Sequence, residues 1–164
     1  MNLASTFLFL ACTAAAFLLM EGVAWAAHRY LMHGSLWSLH QDHHDGGYHP
    51  FQKNDWFFVV FALPCMACCI IGALWHLNWV LGIALGIFLY GFCYFLVHDV
   101  VIHQRFKWFS RSNNRYIKVL RWAHKMHHKH LSKDAGESFG LLIVPRRYWD
   151  KVRADEQKAA ASKA

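Results

Sequence analysis

The sequence predicts an all-α integral membrane protein, with about three transmembrane helices and a cytoplasmic helical cap rich in histidine. Three observations lead there: long charge-free apolar runs, a one-sided distribution of positive charge, and thirteen histidines, most of them gathered beside the ends of the runs. Leu3 to Ala27 is an apolar run whose only charge is Glu21, and Trp56 to Trp75 and Trp79 to Val97 contain no Asp, Glu, Lys or Arg. A bilayer core about 30 Å thick needs roughly 20 apolar residues as a helix, so each run is long enough to cross. The first is too long for the apolar core of a signal peptide and is read as a retained helix.

Charge sets the expected orientation. The short turn His76-Leu77-Asn78 carries no Lys or Arg, whereas segments 28–55 and 98–164 carry all of them. The positive-inside rule then places both segments in the cytoplasm, with the N-terminus and the hairpin on the far side. A fourth crossing could come only from residues 138–145, which are too few to span. Between Asp99 and Asp134 there is no acid, while nine Lys and Arg residues from Arg105 to Lys133 supply positive charge. In a chain with three spans, such a stretch is read as lying against anionic headgroups and not against nucleic acid. The 164 residues leave room for one domain, over 1–150, and the Ala- and Lys-rich tail 151–164 is expected to fray. All five cysteines fall inside the apolar runs, which indicates packing residues and no disulfide framework.

Ten of the histidines form two copies of one pattern, HxxxxH followed by HxxHH: His28, His33, His40, His43 and His44, then His98, His103, His124, His127 and His128. Chance produces about 0.1 HxxHH in a chain of this composition, by template counting, and here there are two. On an α-helix, positions i, i+3 and i+4 fall within roughly 100° of arc, so HxxHH aims three imidazoles at one point. HxxxxH is less tidy, because i and i+5 differ by about 140°; one of its residues must sit at a helix end or beside a local bulge. Neutral imidazole suits iron, zinc, copper and nickel alike. Ten ligands are too many for one ion and enough for two, and any one of the ten could instead orient a ligand. His49, His76 and His130 stand outside the pattern and read as interfacial side chains.

Beyond these spacings, the segment MEGVAWAAHRYLMHGSLWSLHQDHH (Met20 to His44) resembles the bacterial β-carotene 3-hydroxylases, a branch of the membrane fatty-acid hydroxylase superfamily. So do FQKNDWFFVVFALP (51–64), YGFCYFLVHDVVIHQRF (90–106), AHKMHHKH (123–130) and ESFGLLIVP (137–145). The likeness covers roughly residues 20–145, and LVHDVVIHQR is its most telling stretch; the loop HDGGYHPF (44–51) departs from it. The resemblance implies a non-haem di-iron centre held by the ten patterned histidines, with dioxygen as co-substrate. It implies hydroxylation at C3 of a β-ionone ring, carrying β-carotene to β-cryptoxanthin and then zeaxanthin, in a bacterial inner membrane with the active site on the cytoplasmic side. C3 is a secondary, non-allylic carbon, beyond the reach of any side-chain base or oxidant, so a bound redox metal fits the task. Trp25, Tyr30, Trp37 and Phe95 lie close enough in sequence to help line a substrate pocket.

No dinucleotide fingerprint or second domain is present to deliver electrons, so a separate donor, such as a ferredoxin-like carrier, is expected. A second enzyme reading keeps the di-iron centre and changes the substrate to a fatty acid or sterol. A metal transporter or sensor would need metal-binding groups along a path inside the spans. Glu21 and the cysteines are the candidates, and Glu21, two helical turns before His28, could equally orient that histidine.

Overall fold

The computed structural model describes residues 2–45 and 51–162, and His49 and most of the 44–51 loop lie outside them. Six α-helices occur among the described residues, with no strand: α1 (Leu3–Ala26), α2 (Trp37–His44), α3 (Trp56–Leu74), α4 (Asn78–Tyr94), α5 (Arg115–His128) and α6 (Arg146–Ala161). α1 and α4 each continue into a wider π-type turn, Ala27–Ser35 and Phe95–Ile102. With those extensions, three helices are long and apolar enough to cross a membrane: Leu3–Ser35, Lys53–Leu74 and Asn78–Ile102. Their outward faces expose Phe7, Leu18, Leu63, Met66, Ile70, Phe88 and Phe92. An apolar surface of that extent calls for lipid rather than water.

Small residues let the spans approach. On Gly82 and Gly86, four residues apart on α4, an added Cβ would lie only 2.5 Å from the backbone oxygens of Phe9 and Thr13 on α1. This is close small-residue packing, the usual means of helix association in lipid. Asn78 Nδ2 donates to Ser5 Oγ at 3.1 Å, joining the starts of α4 and α1 at the end remote from the histidines. α1 and α4 therefore run parallel, α3 runs against them, and both histidine-bearing segments emerge at the same end.

At that end the chain builds its cap. The first helix breaks at Gly34 (φ −121°, ψ −114°), which turns α2 into a new direction. α5 and α6 pack through buried Val119, Ala123, Tyr148 and Val152. The end of the chain differs from the frayed tail its composition suggests. α6 stays helical to Ala161 because Tyr148 and Val152, one turn apart, bury against α5, and Glu156 pairs with Arg115 (2.8 Å) and Lys118 (3.1 Å). The basic stretch is thus partly spent inside the protein. Arg105 pairs with Asp99 (3.0 Å) and Asp55 (3.1 Å), and Arg121 donates to the carbonyls of Val101 and Phe109. Residues 136–145 form no helix and cross no membrane; they run as a strap over the ends of the spans.

Candidate metal centre

Both HxxxxH pairs lie on the π-type turns. His28 and His33 sit in Ala27–Ser35, and His98 opens a backbone bond from the His103 N–H to its own carbonyl at 2.9 Å. A π-type turn closes i to i+5, so residues five apart return to nearly the same face. That removes the angular mismatch an α-helix would impose. The HxxHH triplets lie on α2 and at the end of α5, as three-on-a-face geometry requires.

The structure brings all ten histidines together. His28, His33, His40 and His127 form one group and His43, His103, His124 and His128 a second; within each, one ring nitrogen per residue lies within 4.8 Å of the others. His44 joins the first through its Nε2, 3.2 Å from that of His40, and His98 meets the second, 3.1 Å from His43 Nε2. His76 lies in the remote hairpin, and the His130 side chain is 3.8 Å from Glu137.

Hydrogen bonding at the opposite ring nitrogen suits this cluster to holding a metal ion. The Nδ1–H groups of His28, His33, His44 and His127 donate to the carbonyls of Phe139 (3.0 Å), Lys133 (3.2 Å), His130 (2.9 Å) and Glu137 (2.8 Å). Those of His40 and His43 donate to Asn54 Oδ1 (2.7 Å) and Gln52 Oε1 (2.9 Å). Each bond fixes the tautomer and leaves Nε2 bare. Yet the bare Nε2 atoms of His28 and His40, of His33 and His127, and of His40 and His44 face one another at 3.2 Å. Opposed lone pairs repel, and a cation between them removes the conflict. At a metal–nitrogen distance of about 2.0–2.1 Å, ligands 90° apart are separated by about 2.9 Å and tetrahedral ones by about 3.4 Å. The donor set therefore fits two first-row metal ions.

Burial prepares the rings for that role. It drives His40 down to about 2, His127 to about 3 and His44 to about 4, and it also lowers His43, His103, His124 and His128. At neutral pH these rings are uncharged, with a lone pair available without first losing a proton.

An apolar cavity of about 430 Å³ lies between the spans, a size usual for small-molecule sites. Its inner end is formed by buried Met32, Phe57, Tyr90, His98 and Asp99, and its outer rim by exposed Phe58, Met66, Phe88 and Phe92. Of the four aromatics singled out by sequence position, Phe95 lines it; Trp37 instead packs on His33 at 5.1 Å. A second pocket of about 20 Å³, enough for one small molecule, touches His28, His98 and His124 and shares Met32, Phe61 and Tyr94 with the larger one.

Several contributors were not foreseen from sequence. Asn54 turns its side chain to His40, while Asp55 caps the turn by accepting from the Gln52 amide at 3.0 Å. The carbonyls of residues 130–139 carry no side-chain signature at all. Glu21 does not touch His28; it binds the strap.

Comparison with known proteins follows the same direction. A family model described as fatty acid hydroxylase matches residues 13–153. A β-carotene hydroxylase of Paracoccus sp. (strain PC1) is 37% identical over 145 residues, covering 87% of this chain and 86% of that protein. One from Pseudescherichia vulneris is 41% identical over 129 residues, covering 76% and 70%. A chloroplastic β-carotene 3-hydroxylase of Arabidopsis thaliana is 35% identical over 133 residues, 77% of this chain and 42% of that protein. No solved structure matches. With histidine pairs on widened turns, bare imidazole nitrogens converging in two groups and relatives matched along most of its length, the chain belongs to the fatty acid hydroxylase family.

Proposed function

We propose that the ten histidines hold two iron ions and that the chain hydroxylates C3 of β-ionone rings, taking β-carotene through β-cryptoxanthin to zeaxanthin. The observation that carries this reading is the cavity: apolar along its length, open at a rim of lipid-facing side chains, and closed by His98 at the metal centre. A full-length carotenoid is larger than the ligands such cavities enclose, so one end ring enters and the remainder stays in the bilayer. The bacterial relatives, named β-carotene hydroxylases, support the substrate class.

The reaction consumes one C–H bond, one dioxygen, two electrons and two protons, and yields C–OH and water. Dioxygen is the oxidant, and the irons, when bound, would activate it with the two electrons. The protein's own residues do the rest. Phe57, Phe61 and Tyr94 orient the ring and keep water out, Met32 closes the inner end, and the pocket beside His28, His98 and His124 admits a molecule the size of dioxygen. Electrons come from a separate carrier of the ferredoxin type, which meets the basic segment 105–133 on the cytoplasmic face of the inner membrane.

Expression in a bacterium that accumulates β-carotene tests this. Zeaxanthin should accumulate, with β-cryptoxanthin appearing first, as read by pigment chromatography. Unchanged β-carotene alongside newly hydroxylated fatty acids, from well-expressed and iron-loaded protein, would move the substrate to the lipid class.

A further inference from the structure

We propose that Glu21 is a positioning residue for one of the two metal sites, acting through the strap of residues 136–145 and the turn of residues 130–135 that leads into it; this rests on the reading that the histidines hold two ions. An ionisable side chain inside a span is costly unless fully partnered. Glu21 is 8% exposed and has four partners. Its Oε1 accepts the successive amides of Leu141 (3.0 Å), Leu142 (2.9 Å) and Ile143 (2.9 Å), and its Oε2 accepts the Tyr90 hydroxyl at 2.7 Å. Three consecutive N–H groups around one oxygen make an anion-binding nest of backbone. Gly140 makes the nest possible: a Cβ there would lie 2.9 Å from the Ile143 oxygen and 3.2 Å from Glu21 Oε1.

What the nest holds is the support of one site. The carbonyls of Lys133, Glu137 and Phe139 orient His33, His127 and His28, three of the four rings in the first group. In the second group, His43 is oriented by the Gln52 side chain, outside the strap. Elsewhere the strap is tied to the cap, with Tyr116 donating to the Leu142 carbonyl at 2.7 Å and Tyr148 to the Glu137 carboxylate at 2.8 Å. Glu21 fastens it to the membrane bundle. Ala135 (φ 62°) and Ser138 (φ 59°) hold left-handed conformations, which persist only where the surroundings impose them.

The test is Glu21→Gln in the full chain, with ferrous iron titrated anaerobically into metal-stripped protein against a competing chelator. Wild type should take up two ions. The variant should keep one at wild-type affinity and bind the other about 10- to 100-fold more weakly, the usual loss when the partner of a ligating histidine is disturbed. Amide hydrogen exchange on the metal-free proteins should quicken at residues 137–143 and stay unchanged in α1, α3 and α4. Two ions at wild-type affinity in the variant would overturn the proposal. So would equal weakening of both ions with faster exchange throughout, which would mark a general folding role. Fewer than two ions in wild type would instead defeat the two-metal reading, and equal protection of the strap in both proteins would then overturn the positioning role by itself.

Discussion

His43→Ala and His127→Ala should each lower hydroxylation at least about 100-fold, the scale on which a disturbed metal site loses function. The two residues belong to different groups, and both are buried, His127 completely. Removing either ring takes away a nitrogen that faces others at hydrogen-bond distance, 3.1 Å from His98 Nε2 for His43 and 3.2 Å from His33 Nε2 for His127. Loss of the His127 ring also takes the donor from the Glu137 carbonyl, whereas Gln52 Oε1 keeps the Arg105 guanidinium when the His43 ring is lost. His76→Ala, at an exposed position, and His130→Ala, at a half-buried position outside both ring groups, should stay within about twofold of wild type. The His130 contact that matters is its backbone carbonyl, which alanine retains. Product formation per unit of expressed protein is the measurement. Equal losses in the two sets would mean that the ligands are misassigned.

Gly91→Leu should cut conversion of β-carotene about 10- to 100-fold while leaving the iron content unchanged. Gly91 lines the large cavity, and a Cβ built on it meets nothing within 4 Å. The new side chain therefore projects into the space assigned to the substrate and not into a neighbouring helix. Forcing extra methylenes against an occupant costs about 1–3 kcal/mol, which corresponds to that loss of affinity. The same change at Gly82, where the neighbour is the Phe9 carbonyl, would instead drive α1 from α4. Pigment conversion and iron content, measured on one preparation, separate a blocked cavity from a damaged centre. Full conversion by Gly91→Leu would show that the ring enters elsewhere.

The spans and the ten histidines were legible in the sequence because both are properties of side chains at regular spacing. Charge-free runs mark the helices, and a doubled HxxHH leaves little to coincidence. HxxxxH was harder, since a 3.6-residue period separates its members; the π-type turns that reunite His28 with His33 and His98 with His103 have no residue signature of their own. The carbonyls that orient His28, His33, His44 and His127 were invisible for a related reason: any residue supplies a carbonyl. The role of Asn54 was hidden because it depends on α2 bringing His40 within 2.7 Å of its side-chain oxygen. Bulk composition hid the helix α6. Tyr148, Val152 and Glu156, each one turn after the last, carried the signal of a packed face.

Metal content bears most directly on the central claim. Protein purified from iron-replete cells, active on β-carotene, should carry close to two iron ions per chain by elemental analysis against quantitative amino-acid analysis. The opposed bare nitrogens of His28 with His40 and of His33 with His127 call for one ion, and the group of His43, His103, His124 and His128 calls for another. Two irons, with activity falling in step as a chelator removes them, is the expected result. An active preparation holding one ion or none would contradict it.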